Sequence, residues 1–162
     1  MSHPIRWLLI AALAATATSS MSVYPHQLAY FNEFAGGPAN GHKHLLHSNL
    51  DWGQDLLFVK EWYRQNGSGL PLYFLHYKYG QPTQIGLPVE SPQTFNRGNG
   101  GGESLLAGFH VVSLNSLCGD EAYYVHSDGR HEIVSHREVR PYLSLRPVFR
   151  GGYSLLVFSV AP

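Results

Sequence analysis

The sequence has very little cysteine. Cys118 stands alone among 162 residues, so no disulfide can form within the chain and cysteine usage does not indicate a redox compartment. No neighbouring motif marks Cys118 as an activated nucleophile, and we expect it to be a small buried residue. The Gly-x-Ser-x-Gly elbow of serine hydrolases is also missing. Hydrolase chemistry is therefore unsupported, and we assign no catalytic residue.

Net charge is lacking as well. Eleven basic residues balance eleven acidic ones, so no electrostatic field attracts the chain to nucleic acid or to anionic lipid. We expect no nucleic-acid partner. Aromatic residues, by contrast, make up 13% of the chain; they suit half-wet surfaces and sugar contacts, and they also fill cores. An apolar fraction of 44% in 162 residues predicts one compact domain.

The N-terminus contains the longest apolar run, WLLIAALAATAT at residues 7–18. A basic start at Arg6 and the small residues Ala15-Thr16-Ala17 fit a cleaved secretory signal. The run is also barely long enough for a transmembrane helix with Arg6 on the cytoplasmic side. A buried helix of a soluble protein is a third interpretation. A buried helix in a small domain rarely has twelve consecutive residues without a polar face. We therefore expect residues 1–23 to be a transmembrane or signal segment, and residues 24–162 to be an extracytoplasmic α/β domain.

Hydrophobic periodicity predicts the elements of that domain. Helices are expected at residues 24–34 and 53–66, the second ending at Gly67. Strands are expected at four places: residues 43–50, 70–77, 109–117 and 152–160. Residues 120–145 are polar and show no clear pattern. The alternation predicts an α/β fold: a small, partly parallel sheet of about four strands with flanking helices, preceded by the N-terminal apolar helix.

Glycine-rich NRGNGGGES lies in the predicted loop 91–104. A phosphate-binding loop would continue into G-K-[ST] and a helix, and neither follows. We therefore interpret this segment as a linker and expect no cofactor.

The stretch HSNLDWGQDL, residues 47–56, concentrates polar and aromatic side chains before a predicted helix. In a structural interpretation Asp51 caps the helix and Trp52 packs against the sheet. In a functional one Trp52 is a stacking platform whose neighbours bind sugar hydroxyls. The candidate substrate-binding residues are Asn49, Asp51, Trp52, Gln54 and Asp55. An i, i+4 spacing gives no support for Asp51 and Asp55 as a glycosidase-like acid pair.

Histidines form one metal-like group, His42, His44 and His47. Zinc accepts such ligands, but the group lacks a second half, and a solvated surface is the better interpretation. We assign no metal site. His26 and His110 stand singly in apolar runs, where a satisfied core or interface histidine is expected.

Two long motifs resemble one known family. YPHQLAYFNEFAGGPANG at residues 24–41 and SNLDWGQDL at residues 48–56 are similar to the C-terminal region of bacterial protein-mannosyltransferase-like membrane glycosyltransferases, which use phospholipid-linked sugars. The closing RPVFRGGYSLLVFSV also resembles that region, and the likeness is weak between residues 81 and 145. In this family an acidic residue usually precedes S-N-L-D-W, whereas this chain has His47.

The resemblance implies that residues 7–23 are the last membrane helix and that a longer protein would continue upstream of Met1. It also implies that the catalytic acid and the sugar-donor site belong to a multi-helix membrane part. We therefore expect a truncated or split product that is non-catalytic alone and serves acceptor recognition or assembly. Its expected partners are the membrane, the multi-helix part of a glycosyltransferase, and a glycan or lipid-linked sugar.

Two alternatives of other classes stay open. The chain could be an independent exported glycan-binding module, released by cleavage after Ala17. It could also be a histidine-rich metal-binding protein, which a zinc titration without a saturable site would exclude.

Overall fold

The first element of the chain is a long exposed helix. The computed structural model describes residues 3–67, 69–76, 80–91 and 105–161. Helix α1, His3–Ser22, buries none of its side chains. Within the described part of the chain it alone is long and apolar enough to cross a membrane, a test that signal sequences also pass. The predicted apolar helix is confirmed, and the interpretation as a buried core helix is wrong.

The strands form a single mixed sheet. They are β1 Leu72–His76, β2 Gly108–Ser113, β3 Ala122–Val125, β4 His131–Val134, β5 Phe149–Gly151 and β6 Leu155–Val160. Their order is β4-β3-β1-β2-β6-β5. β1 and β2 are parallel, and the other described pairs are antiparallel. The predicted α/β fold with a partly parallel sheet is confirmed, but the sheet has six strands rather than about four.

The missed strands are short or lie at an edge. β3 and β4 form an antiparallel pair inside the polar stretch 120–145. β4 is an edge strand whose two middle residues are exposed, so its sequence HEIV has no apolar run. β5 has only three residues. Such strands are defined by pairing with a neighbour rather than by their own hydrophobic pattern.

Both faces of the sheet are covered, which explains why the central strands are nearly continuous apolar runs. All six residues of β2 are buried. Phe109 and Val111 pack on one face with helix α2, Leu56–Asn66. Val112 packs on the other face with Tyr142, which lies in a 3-10 segment, Arg140–Ser144, after helix α4, His136–Val139.

Helix α2 begins three residues later than predicted. The Asp51 carboxylate accepts a hydrogen bond from Gly53 N at 2.8 Å, and Gly53 has a positive φ of 81°. The chain therefore turns before the helix, and Asp51 is not its cap; Asp55 directly precedes Leu56. The predicted end at Gly67 is confirmed, since Gly67 N donates to Tyr63 O at 2.7 Å.

Residues 24–50 contain neither the predicted helix 24–34 nor the predicted strand 43–50. They fold instead into short 3-10 turns: Gln27–Ala29, Glu33–Ala35, Pro38–Lys43 and His47–Asn49. Gly36 and Gly37 have positive φ values of 82° and 72°, which reverse the chain after the second turn. A strand at 43–50 is broken at His47, whose φ of 61° lies in the left-handed region.

The ends of two predicted strands also differ. β2 stops at Ser113, whose hydroxyl accepts from Asn115 N at 3.2 Å and caps the short helix α3, Leu114–Leu117. Cys118 follows α3 and is exposed, so the expectation of a buried cysteine is wrong. Most of the glycine-rich loop, residues 92–104, lies outside the described residues.

Candidate functional site

Asp55 is a fully buried carboxylate that joins three distant parts of the chain. Its Oδ2 accepts hydrogen bonds from Tyr153 N, Ser154 N and Ser154 Oγ, each at 2.9 Å. His26 Nδ1 lies 2.9 Å from Oδ1. Asp55 therefore fixes the β5–β6 turn and the segment after α1 to the start of α2. Its oxygens serve the protein's own donors rather than a ligand.

The turn has a glycine where Asp55 approaches it. A Cβ atom on Gly152 would overlap the Asp55 carboxyl group, and Gly152 has a positive φ of 57°. Only glycine fits both the conformation and the space. The Asp55 contact also explains why β6 starts at Leu155, since residues 152–154 are used for the turn.

Asp51 is the second fully buried carboxylate of the predicted set. Beyond its bond from Gly53 N, it lies 3.3 Å from Ser113 Oγ, which donates to it, and 3.8 Å from His76 Nδ1. Burial raises the pKa of Asp51 above its ordinary value, against the opposing effects of His76 and of the Gly53 N–H. Asp51 thus faces the end of β2 and not the solvent.

The remaining three predicted residues differ in exposure. Gln54 is half-buried and binds the local backbone at both ends, accepting from Trp52 N at 2.7 Å and donating to Leu50 O at 2.9 Å. Asn49 is exposed. Trp52 is 51% exposed, and its indole N–H donates to Ser48 O at 2.6 Å. Trp52 is thus half on the surface rather than packed within the sheet core, and of the five only Asn49 and Trp52 present large surfaces to solvent.

Asn49 lines a cleft that sequence reasoning did not identify. Its volume is about 450 Å³, and it is lined by Leu28, Tyr30, Phe31, Asn32, Ala35, Leu45, Ser48 and Asn49. The lining combines two aromatic rings and aliphatic side chains with two amides and two hydroxyls, those of Tyr30 and Ser48. Such a lining suits a ligand with an apolar part and a few hydroxyl or phosphate oxygens. Only the YFNEF portion of the first motif, at residues 30–34, could have indicated it.

The cleft lies at the C-terminal end of α1. The Tyr30 hydroxyl is 3.1 Å from Ser19 Oγ, and Ser19 also donates to the Glu33 carboxylate. This bond lowers the pKa of Glu33 below its ordinary value. Two bonds from one serine therefore hold the near wall of the cleft against the last turn of α1.

At position 47 the resemblance predicts an acidic residue, whereas the chain has His47. Its left-handed backbone is held by Asn115, whose side chain accepts from His47 N at 3.0 Å and donates to His47 O at 3.3 Å. Its Nδ1 lies 2.8 Å from the Asp120 carboxylate. The imidazole is thus paired with an acid from another part of the chain.

The histidines do not gather around a common point. His44 Nε2 lies 2.9 Å from Ala35 O, while His47 faces Asp120. Burial, together with the charges of Arg150 and Lys43, lowers the pKa of His42. Among the described residues no group of three or more His, Cys, Asp or Glu side chains is arranged to hold a metal ion.

His26 and His110 are satisfied, as expected. His110 is 3% exposed, with Nδ1 2.7 Å from the Tyr142 hydroxyl and Nε2 2.8 Å from Leu106 O. Burial lowers the pKa of His110 to about 4. His26 pairs with Asp55, and its ring centroid lies 4.6 Å from that of Phe58.

Compared with known proteins, the chain matches no family model, no curated protein and no solved structure. The glycosyltransferase resemblance of the two motifs therefore stays a prediction.

Proposed function

We propose that this chain is a membrane-anchored extracytoplasmic domain that acts as the C-terminal part of a glycosyltransferase using lipid-linked sugars. In this role it recognises the acceptor or assembles with the multi-helix part, and it does not catalyse transfer alone. The observation that carries the proposal is the continuity of an unburied apolar helix with a cleft fixed at its end. The family assignment rests on the two motifs.

The exposure of α1 supports the anchor. Apolar side chains project all round the helix, and Trp7, Leu8 and Leu13 are each about 70% exposed. At 1.5 Å per residue its twenty residues extend about 30 Å, the thickness of a bilayer's hydrocarbon core. Exposing this surface to water is unfavourable by about 25 cal/mol per Å². A membrane removes that cost without any change in the folded domain.

The Asp55 contacts support a role in assembly. His26 follows the end of α1 by four residues, and its bond to Asp55 ties that segment to α2 and to the β5–β6 turn. A joint of this kind fixes the orientation of the sheet relative to the anchor. A domain that docks on a membrane-embedded partner needs a fixed orientation of this sort.

The position of the cleft supports contact with a lipid-linked sugar. Such a molecule presents its sugar at the bilayer surface, next to the end of a membrane helix. Leu28 and Leu45 offer apolar contacts. The Asn32 amide accepts from Ala35 N and the Asn49 amide donates to Leu46 O, and their remaining hydrogen-bonding capacity suits hydroxyl or phosphate oxygens. The buried Asp51 and Asp55, with Gln54, contribute by shaping the loop that carries Asn49 and Trp52.

Cell fractionation tests the anchor. An antibody to residues 48–162 is applied to membrane and soluble fractions, before and after alkaline carbonate extraction. We expect a carbonate-resistant membrane band at 18.0 kDa or larger. A smaller soluble band would show that the apolar segment is cleaved, and the anchored-domain proposal would fail.

One observation favours the exported glycan-binding module as second candidate. Trp52 is half exposed beside Ser48 of the cleft, as a stacking platform for a sugar ring would be. Glycan arrays with the released domain and with its Trp52→Ala variant test it. Equal binding by both, or binding by neither, would exclude this candidate.

A further inference from the structure

Beyond α1, exposed large hydrophobic side chains are concentrated in residues 24–58. We call six of them the collar: Tyr24, Leu28, Tyr30, Phe34, Leu45 and Trp52. Phe34 is fully exposed, and Tyr24 is 76% exposed. An apolar group of this density on a folded domain marks a contact surface.

The collar lies near the end of α1. Tyr24 lies two residues after the last helical residue, Ser22, and Tyr30 is bonded to Ser19 of the last turn. Leu28 and Leu45 line the same cleft as Tyr30, and Trp52 is bonded to Ser48 of that cleft. Any membrane that α1 enters therefore lies next to these side chains.

The charge distribution fits a bilayer surface. Residues 24–58 include four Asp, Glu, Lys or Arg residues, and two of these, Asp51 and Asp55, are fully buried. Only Glu33 and Lys43 remain at the surface, one of each sign. Tyrosine and tryptophan favour the membrane–water interface because one part of the ring system is apolar and the other polar.

The length of the uncharged part of α1 places the collar close to the hydrocarbon core of the bilayer. Arg6 limits the uncharged part of α1 to residues 7–22, which extend about 24 Å, whereas all twenty residues of the helix are needed to match a hydrocarbon core of about 30 Å. A short span is accommodated by thinning of the bilayer and by residues that flank the helix. The side chains fixed around its last turn move with it toward the lipid.

We propose that the collar is a lipid-binding surface that lies in the headgroup–acyl boundary of the bilayer entered by α1. This inference rests on the membrane anchor of the proposed function. It goes further by placing the folded domain directly on the lipid, with the cleft opening at the membrane surface. The partner is the phospholipid bilayer itself, bound through apolar and aromatic contacts rather than through charge.

Depth-dependent quenching tests the proposal in the full chain. Single cysteines are introduced at three exposed positions in a Cys118→Ser background: Leu13→Cys in α1, Phe34→Cys in the collar, and Ile133→Cys in β4. Each carries the same bimane label, and the proteins are reconstituted in phosphatidylcholine vesicles with or without brominated acyl chains. Ile133, 74% exposed on an edge strand, is the matched control for Phe34.

We expect the labels at 13 and 34 to be quenched and the label at 133 to keep its fluorescence. An interfacial surface lies about 5–10 Å into the boundary, so the label at 34 should lose about half of its signal. If the label at 13 is quenched while 34 behaves like 133, the anchor stands and the collar proposal is overturned. If 13 is not quenched, the anchor itself fails. Leu28→Cys repeats the collar measurement should Phe34→Cys unfold.

Discussion

At the scale of single residues, Asp55 connects segments that lie far apart in the sequence. The two residues of the β5–β6 turn that bind it are 98 and 99 positions away in sequence. Removing the carboxylate would leave buried donors of Tyr153 and Ser154 without an acceptor, and such groups are costly to bury. Asp55 should therefore contribute to the stability of the fold rather than to the binding of a ligand.

Asp55→Ala is expected to lower the free energy of unfolding by about 3 kcal/mol or more, since several buried hydrogen bonds are lost together. Urea denaturation in detergent micelles, followed by circular dichroism, measures it. Asp128→Ala removes an exposed carboxylate that accepts hydrogen bonds from Arg130 in a surface turn, and it should lower the midpoint much less than Asp55→Ala does. If Asp55→Ala had the same midpoint as the control, the hydrogen bonds of Asp55 to His26 and to the β5–β6 turn would not stabilise the fold as described.

Gly152 permits a separate test of the space that Asp55 occupies. Gly152→Ala should cost about 1 kcal/mol for its positive φ and a further cost for displacing the Asp55 carboxyl group. Gly69→Ala is the matched control, because Gly69 has a positive φ of 76° and nothing within 4 Å of its would-be Cβ. Thermal melts should rank wild type above Gly69→Ala and Gly69→Ala above Gly152→Ala. Equal losses of melting temperature in both variants would show that the Asp55 carboxyl group moves away from the added Cβ atom at little cost.

Because His110 is buried, we expect the folded state to lose stability in acid. Its folded-state pKa of about 4 lies below the ordinary 6.5 because burial disfavours the imidazolium. The unfolded state therefore binds the proton more readily, and stability is lost as the pH falls from 6.5 toward 4. The loss from this residue should approach about 3 kcal/mol. Urea unfolding of wild type and His110→Gln between pH 7 and 4.5 should show a shallower dependence in the variant; parallel curves would refute the assignment.

At the scale of elements, the helices and strands that were predicted correctly are those with a clear hydrophobic pattern. α2 and β1 are found close to their predicted positions, because Leu56 and Val59 share a helical face and β1 is a continuous apolar run. β3, β4 and the turns of residues 24–50 were missed, since neighbouring strands, glycine conformations and the Asn115 contact with His47 decide them. The cleft was missed for the same reason, because its walls come from short 3-10 turns and the residues between them.

α1 is the element on which the proposed membrane association depends. Leu13→Arg puts a charge near the middle of the apolar stretch, at a cost of about 2.5–3.5 kcal/mol for insertion. We expect a clear decrease in the carbonate-resistant fraction measured on blots. Thr18→Arg, close to the polar end at Ser19, should retain membrane association because a long side chain there reaches the interface. Unchanged partitioning of Leu13→Arg would mean that α1 does not insert.

At the scale of the whole molecule, helix α1, the contacts of Asp55 and the cleft are connected to one another. α1 would hold the chain at the bilayer, Asp55 fixes how the sheet meets the end of α1, and the cleft lies at that end. A ligand carried by the same bilayer would meet the cleft at a raised effective concentration. If the proposed function is correct, the arrangement should favour a lipid-linked glycan over the same glycan free in solution.

Binding in nanodiscs that contain a polyprenyl-phosphate-linked sugar tests this arrangement. We expect the full chain to bind the lipid-linked sugar in the same disc more strongly than the free sugar, and Asn49→Ala to weaken binding about fivefold, as the loss of one hydrogen bond of about 1 kcal/mol predicts. Gln65→Ala removes an exposed amide on α2, outside the cleft, and should bind like wild type. If Asn49→Ala also binds like wild type, the amide does not contact the sugar. If free and lipid-linked sugars bind equally, the position of the cleft beside the membrane gives no advantage, and the exported module becomes the better account of the domain.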